Sequence, residues 1–293
     1  SAFVRGLQDM EDRTRGIAAT AKHYVGHGVT EGGLNMGRNL VGERDLEEIH
    51  CKPFQAAISE GGLMSVMNSY CSMNGEPVAC SRRLLTTLLR ERLGFTGFVV
   101  SDYISIDRIV DPFHVAATFE EAGVKALSAG LDVEYPRPKG YTYRLREAVE
   151  RGELEMAVID QAVERVLTAK FELGLFEQPY PDRDMLSRVL HTPKADELNL
   201  TLAKEAVTLL KNERNALPLS DHVKKIAVIG PHADSVRSYF APFSYPAALD
   251  MTMSREEDGQ VFEEPGLIIY DIEQRYVGEI RETSPRVEKR IRH

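Results

Sequence analysis

Four short apolar segments of the sequence each run into side chains that could do chemistry. Carboxylates, a lysine and an imidazole can hydrogen-bond sugar hydroxyls, and tyrosine rings can pack on the apolar faces of a sugar ring. After any one segment such residues could simply be loop residues that meet water, so this prediction depends on the agreement of four segment ends. Those ends are Lys22-His23, Asn68 with Tyr70, Asp102-Tyr103, and Asp132 with Glu134.

A second chemistry stays open on the same residues. Lys22 follows an apolar segment, and a lysine whose pKa is lowered by burial can form a Schiff base with a carbonyl substrate. The residues alone therefore do not separate a glycosidase from a lysine-dependent aldolase.

Alternating strands and helices must position these side chains. Short apolar runs predict buried parallel strands at residues 17–21, 63–67, 98–101 and 129–133. Helical spacing predicts helices at 43–60, at 81–93 with Ser81 as capping residue, at 118–128 and at 156–173. This alternation indicates successive βα units of a barrel or of a doubly wound sheet, and the carboxyl ends of such strands share one edge.

The later part of the chain changes character. A run rich in Pro and polar residues, 177–182, breaks the helical pattern. We expect a domain boundary between 176 and 199, followed by a helix at 200–211 and a strand at 225–230 that opens a second α/β domain. The Gly-Pro-His-Ala-Asp stretch 230–234 lacks the glycine pattern of a phosphate loop.

Composition excludes some function classes. The formal net charge of −9 argues against nucleic acid as the main partner. The sequence contains no apolar run near the ~18 residues of a membrane span. The odd number of cysteines, without Cys-x-x-Cys spacing, disfavours a disulfide framework or a zinc site and mildly favours a reducing compartment such as the cytoplasm; they are Cys51, Cys71 and Cys80.

Several segments resemble family 3 glycoside hydrolases, the family of bacterial β-glucosidases and β-xylosidases. They occur in family order between about residues 2 and 245. The matching segments are AKHYVGHG (21–28), VMNSYCSMNG (66–75), RLGFTGFVVSDY (92–103), AGLDV (129–133), RVLTAKFELGLF (165–176), and AKEAVTLLKN (203–212) with LPL (217–219).

The resemblance implies a fold and its domains. Within the α/β class, the fold would be a partial (β/α)8 barrel of the TIM type, followed by the start of an α/β sandwich domain. Residues 1–176 would form the C-terminal part of the catalytic barrel, 177–199 a linker, and 200–293 the start of the second domain with a charged tail.

The resemblance also implies roles for particular residues. Asp102 would be the nucleophile of a retaining, exo-acting reaction on a small oligosaccharide or aryl β-glycoside, with glucose and xylose both compatible. A second carboxyl group about 5–5.5 Å away would serve as acid and base. Lys22 and His23 would bind hydroxyls of the sugar at subsite −1, and Met67 and Tyr70 would line that pocket. Tyr103, where many members have Trp, would shape its wall. No metal or cofactor is expected, and His27 is interpreted as a structural residue in a glycine-flanked turn.

Three departures from the family pattern bear on activity. The sequence starts as if in the middle of a helix, so we expect a longer protein or a fragment whose barrel is completed by another chain or by further copies. None of the tail glutamates stands in a family motif that marks the acid/base. Residues 30–35 lack the Asp-His pair of the amino-sugar enzymes of the family, which disfavours that substrate class. A sugar-binding or interaction protein without turnover is therefore the alternative function.

Overall fold

The computed structural model describes residues 1–190, 192–230 and 233. It divides the chain into two compact units, Ser1–Ala195 and Asp196–His293. The predicted site residues all belong to the first unit, so the fold of that unit is what positions them.

The first unit is built around a parallel sheet of three strands. The sheet order β1–β3–β6 follows the chain order, and an isolated parallel bridge from Val100 to Val133 continues it in the same direction. A second, small sheet joins β2, β4 and β5. The strands are β1 (Thr20–Tyr24), β2 (Arg38–Asn39), β3 (Ser65–Asn68), β4 (Ser72–Met73), β5 (Glu76–Pro77) and β6 (Phe98–Val100).

Helices connect the parallel strands, as expected for βα units. The π-helical stretches Leu46–His50 and Arg83–Arg92 interrupt or replace regular α-helix in the two connections that lead to β3 and β6. The α-helices are α1 (Ala2–Gln8), α2 (Glu43–Asp45), α3 (Lys52–Ser59), α4 (Ser105–Val110), α5 (Phe119–Ala129), α6 (Arg144–Glu150), α7 (Met156–Glu172), α8 (Arg183–Val189) and α9 (Pro193–Glu205). Within the described residues, no helix is long and apolar enough to cross a membrane.

The main core lies between this sheet and its helices. Val66 of β3 and Val99 of β6 are fully buried. The π-helix Arg83–Arg92 presents leucines three to four positions apart to the same core, which places them on one helical face. Burying each leucine contributes about 1.5–3 kcal/mol; these residues are Leu84, Leu85, Leu88 and Leu89.

Capping residues set two of the helix starts. The Ser81 hydroxyl accepts the N–H of Leu84 at 3.3 Å, in agreement with the capping role predicted for it. The Thr118 hydroxyl accepts the N–H of Glu121 at 3.1 Å, and α5 begins at the next residue. These side chains satisfy N–H groups that have no partner within their own helix.

Two predicted strands have different bounds. The strand predicted at 17–21 lies at Thr20–Tyr24, so Lys22 and His23 belong to β1 instead of following it. Its register against β3 shifts between Ala21 and Tyr24, so the pairing is irregular at the end of the strand, where the apolar pattern is hard to read. The strand predicted at 129–133 is reduced to the bridge at Val133, because α5 continues to Ala129.

Of the two elements predicted for the second domain, the helix has different bounds and the strand is absent from the described residues. The helix expected at 200–211 is α9, Pro193–Glu205. Residues 225–230 form no strand, and the side chains of Ile226, Val228 and Ile229 are exposed by 70%, 72% and 91%. An apolar run becomes a strand only where a neighbouring strand satisfies its backbone groups. The charged tail from residue 254 lies outside the described residues.

Candidate functional site

Asp102 stands two residues beyond the end of β6, and its position is fixed by hydrogen bonds. Its backbone N–H donates to Oδ1 of Asn68 at 3.2 Å, and its own Oδ1 accepts the N–H of Tyr103 at 2.8 Å. The residue is only 9% exposed. The carboxylate is therefore held by backbone geometry and shielded from most solvent, as a nucleophile that must meet one atom requires.

His23 of β1 reaches the same carboxylate. Its Nε2 lies 3.4 Å from Oδ2 of Asp102, and its ring lies 4.5 Å from that of His27, centroid to centroid. Burial lowers the pKa of His23, the charge of Asp102 acts in the opposite direction, and His27 and Lys22 lower it further. The imidazole is thus kept neutral near pH 7 with one N–H to donate. His27, predicted to be structural, lies at the edge of the site.

Tyr70 connects β3 to the segment around Asp102. Its hydroxyl donates to the backbone carbonyl of Tyr103 at 2.8 Å, and the guanidinium of Arg108 lies 4.7 Å from the centre of its ring. Burial and the negative charge of Asp102 raise the pKa of Tyr70 far above its usual value. The phenol therefore stays protonated and acts as a hydrogen-bond donor beside the carboxylate.

Tyr103 forms an exposed wall beside Asp102. It is 52% exposed, and its ring centre lies 5.0 Å from that of Tyr135, itself 43% exposed. Tyr135 is pinned to the same segment, because its carbonyl accepts the N–H of Ile104 at 3.1 Å and its N–H donates to the Ser101 hydroxyl at 2.8 Å. The backbone of Tyr135 is therefore held against the segment that carries Asp102, and its ring lies beside that of Tyr103.

The other two predicted ligands lie on the same strands. Lys22 is an exposed residue of β1 directly before His23, and Met67 is half-buried in β3, paired in register with Val100. The structure thus brings His23, Tyr70, Asp102 and Tyr103 together, with Lys22 and Met67 on the flanking strand positions.

The fourth strand end does not offer its carboxylates to a ligand. Asp132 is bound by Arg90 at 2.6 Å, by Arg165 at 2.8 Å and by the N–H of Val99 at 2.7 Å. Glu134 accepts the backbone N–H groups of residues 139, 140 and 141 at 2.7–3.1 Å. Their interpretation as sugar ligands is wrong, because internal donors use their oxygens.

Asn68 has a different role from the one its position after an apolar run predicts. Its side chain is fully buried and bonds the segment that carries Asp102 instead of facing a ligand. The sequence signal was a polar residue ending a strand, but the sequence does not reveal which side of the strand it takes. Tyr135 was missed because it lies beyond the matched motif.

The site has no feature of a metal centre. Among the described residues, no group of three or more His, Cys, Asp or Glu side chains could hold a metal ion. The tail glutamates considered for the acid/base role are outside the described part of the chain; they are Glu256, Glu257, Glu263, Glu264, Glu273 and Glu279.

Comparison with family models and known proteins agrees with this geometry. Residues 1–169 match the glycosyl hydrolase family 3 N-terminal domain, and residues 207–265 match the C-terminal domain of the same family. A β-xylosidase of Formosa agariphila is 36% identical over 246 residues, which is 80% of this chain and 34% of that protein. The lysosomal β-glucosidase of Dictyostelium discoideum is 33% identical over 81% of this chain and 30% of its own length.

Solved structures resemble the chain in fold as well. A β-glucosidase of Erythrobacter marinus superposes with a TM-score of 0.71 at 35% identity, covering 74% of this chain and 29% of that one. A β-glucosidase of Listeria innocua in complex with gluconolactone gives 0.70 at 28% identity, covering 75% and 30%. The predicted fold class, an α/β chain carrying part of a TIM-type barrel, is confirmed by this likeness.

The chain spans about a third of the length of the curated relatives it matches. The match to the N-terminal domain nevertheless covers more than half of this chain and includes every residue of the site described above. The chain belongs to glycosyl hydrolase family 3.

Proposed function

We propose that this chain provides the nucleophile half of a retaining, exo-acting β-glycosidase, with Asp102 as the nucleophile and β-glucosides or β-xylosides as substrates. The observation that carries the proposal is the meeting of His23 from β1, Tyr70 from the end of β3 and Asp102 from the end of β6 at one point. Relatives named β-xylosidase and β-glucosidase support the substrate class.

The proposed reaction proceeds through two displacements at the anomeric carbon. A carboxylate oxygen of Asp102 attacks the anomeric carbon, the bond from that carbon to the leaving oxygen breaks, and the leaving oxygen takes a proton. Water then attacks the anomeric carbon, the bond from that carbon to the Asp102 oxygen breaks, and the acid/base carboxyl group takes a proton from the water. These events restore the Asp102 carboxylate and the original anomeric configuration. Neutral His23 can donate its N–H to an oxygen beside the reacting centre, and we assign sugar hydroxyls to His23 and Lys22. The O–H of Tyr70 is donated to the Tyr103 carbonyl, so its oxygen is left to accept a hydrogen bond there.

The exposure of the remaining site residues suggests a position in the pocket for each. We assign Tyr103 to the wall of the pocket because its ring is exposed next to Asp102, and Met67 to the floor because it is half-buried in the central strand. Tyr70 would contact the reacting centre through its hydroxyl. An exposed Lys22 fits sugar binding better than Schiff-base chemistry, since desolvation is what activates a lysine for the latter.

A test of turnover must not depend on the acid/base residue. Dinitrophenyl β-glucoside and β-xyloside serve this purpose, because the dinitrophenolate leaves without needing a proton. We expect release of dinitrophenolate with the β-anomer as the first sugar product, observed by proton NMR during the first turnovers. The α-anomer as first product would contradict a retaining reaction, and borohydride capture of a carbonyl substrate on Lys22 would favour the aldolase.

One observation favours a second function, sugar binding without turnover. The exposed pair Tyr103 and Tyr135 offers two aromatic faces on which a sugar ring can pack. If calorimetry detected binding of a β-glucoside that Tyr103→Ala abolishes, while no dinitrophenyl glycoside were hydrolysed, this second function would replace the first.

A further inference from the structure

We infer that Asn68 is a positioning residue that clamps the Asp102 turn, the segment Asp102–Ser105, and so fixes the direction of the nucleophile. This inference rests on the proposed function for its kinetic consequence but not for its geometry. The clamp joins β3 to the segment after β6, which the sheet hydrogen bonds alone do not connect beyond Val100.

The amide of Asn68 bonds both ends of the Asp102 turn. Its Oδ1 accepts the N–H of Asp102 at 3.2 Å, and its Nδ2 donates to the Ser105 hydroxyl at 2.8 Å and to the Ser69 carbonyl at 2.7 Å. The orientation of the amide follows from its partners. A backbone N–H can only donate and a carbonyl can only accept, so the oxygen must face Asp102 and the nitrogen must face Ser69.

The Asp102 turn needs such a clamp because its backbone is unusual. Ile104 has φ of 55°, in the left-handed region that a β-branched residue rarely adopts. The turn is closed by the N–H of Ser105, which donates to the carbonyl of Asp102 at 3.0 Å. A strained conformation persists only where surrounding contacts fix it, and Asn68 supplies contacts at both ends of the turn.

Burial makes these contacts hard to replace. Asn68 is fully buried and Ser105 is 2% exposed, so water cannot readily substitute for a lost bond. Removing the Asn68 amide would leave the N–H of Asp102 without its acceptor and would allow the turn to move. Because a displacement of about 1 Å can cost about 100-fold in rate, the effect should appear in the chemical step.

The chain offers a matched control in Asn39. This residue is also fully buried, and its amide also bonds two backbone groups, the carbonyl of Gly26 at 2.8 Å and the N–H of Val41 at 3.0 Å. It makes no described contact with the Asp102 turn. Asn39→Ala therefore removes a comparable amide without touching the nucleophile segment.

The experiment compares how fast Asn68→Ala and Asn39→Ala are labelled by a dinitrophenyl 2-deoxy-2-fluoro-β-glycoside. A first-order labelling constant reports on each active molecule and is independent of how much protein is folded. We expect Asn68→Ala to be labelled to completion but about 100-fold more slowly than the wild type, and Asn39→Ala within about threefold of it. Equal constants for the two variants would overturn the inference.

Hydrogen exchange supplies a readout that needs no activity. The peptide covering residues 101–106 should exchange at least about tenfold faster in Asn68→Ala than in Asn39→Ala. If this peptide exchanged equally fast in both variants, the clamp would be overturned, even if no variant were labelled by the glycoside. If it exchanged faster in Asn68→Ala but the wild type were not labelled at all, only the proposed function would be rejected. If Asn68→Ala does not fold, Ser105→Ala is used instead, because it removes one hydrogen bond of the clamp. A labelling constant and an exchange rate in Ser105→Ala that both equal those of the wild type would contradict the inference.

Discussion

At the scale of single residues, the carboxylate of Asp102 combines low exposure with contacts that fix its direction. Its contacts are the N–H of Tyr103 at 2.8 Å and the His23 ring at 3.4 Å. These contacts hold the carboxylate in one orientation.

Asp102→Gly tests the assignment through chemical rescue. Removing the side chain should lower the rate on a dinitrophenyl glycoside by at least about 10³-fold, as expected when a covalent nucleophile is lost. The space left should admit azide, which would attack the same face and give an α-glycosyl azide. The product is identified by NMR; a β-azide, or no effect of azide at all, would contradict the role of Asp102. Asp107→Gly, on α4, provides a control in which azide should change nothing.

His23 should make folding stability depend on pH. Its pKa in the folded chain is lowered below the ordinary value of 6.5, chiefly by burial, so between the two values the unfolded chain binds more protons. Stability therefore rises with pH through that window and falls as the pH drops below about 6.5. Urea unfolding at about pH 7.5 and about pH 5.5 should show a larger loss for the wild type than for His23→Gln. An equal loss in both would contradict the direction of the pKa change.

At the scale of elements, buried charge links the sheet to the helices behind it. Asp132 joins Arg90 of the π-helix Arg83–Arg92 to Arg165 of α7, and it also accepts the N–H of Val99 in β6. Its side chain is 1% exposed. The strand that leads to Asp102 is thus anchored on its helix side by Asp132, a carboxylate that the sequence analysis predicted to be a site residue.

Asp132→Asn should destabilise the fold strongly. The neutral side chain leaves two guanidinium groups without their buried counter-ion, and breaking a buried pair in this way costs about 3–5 kcal/mol. Urea unfolding measures the loss. Glu150→Gln, which removes the exposed pair with Arg146, should change the unfolding free energy far less. A similar small change for both variants would show that the Asp132 cluster does not anchor β6.

Gly123 in α5 should respond to alanine in the opposite sense from an ordinary helical glycine. Alanine in a helix interior is normally more stable than glycine by about 1 kcal/mol. A Cβ on Gly123, however, would lie 2.5 Å from the carbonyl oxygen of Gly140, so Gly123→Ala should lower the thermal unfolding midpoint. Gly6→Ala in α1, where the added carbon meets nothing within 4 Å, should leave it unchanged or raise it. A higher midpoint for Gly123→Ala would contradict the close approach.

At the scale of the whole molecule, the sequence predicts where the strands lie better than what the residues at each strand end do. Apolar runs located β3 and β6, because the apolar residues within them, Val66 and Val99, are fully buried in the core. The predicted start of β1 was wrong because Ile17, the first apolar residue of the run, is 63% exposed, and the strand begins at Thr20. The exposed run at 225–230 was misread because hydrophobicity alone does not supply a neighbouring strand.

For the site, too, the sequence identified residues better than it identified their contacts. The resemblance identified Asp102, His23 and Tyr70, whose contacts the structure then describes. The polar residues at predicted strand ends did not by themselves separate Asp102 from Asp132, since both are acidic residues at such ends. Whether such a side chain faces a ligand or the helices depends on which neighbours approach it, here Arg90 and Arg165, and these contacts join residues far apart in the sequence.

The chain spans about a third of the length of the β-xylosidase that it matches. The central claim is therefore best tested by a reaction step that needs only the nucleophile. A dinitrophenyl 2-deoxy-2-fluoro-β-glucoside or -xyloside should form a stable glycosyl ester, because the fluorine slows hydrolysis of the intermediate and the leaving group needs no acid. Mass spectrometry of the digested protein should show one fluorosugar on the peptide that holds Asp102, and none on Asp102→Asn. A fluorosugar on any other carboxylate, or an unlabelled chain that still hydrolyses the unfluorinated glycoside, would contradict the account.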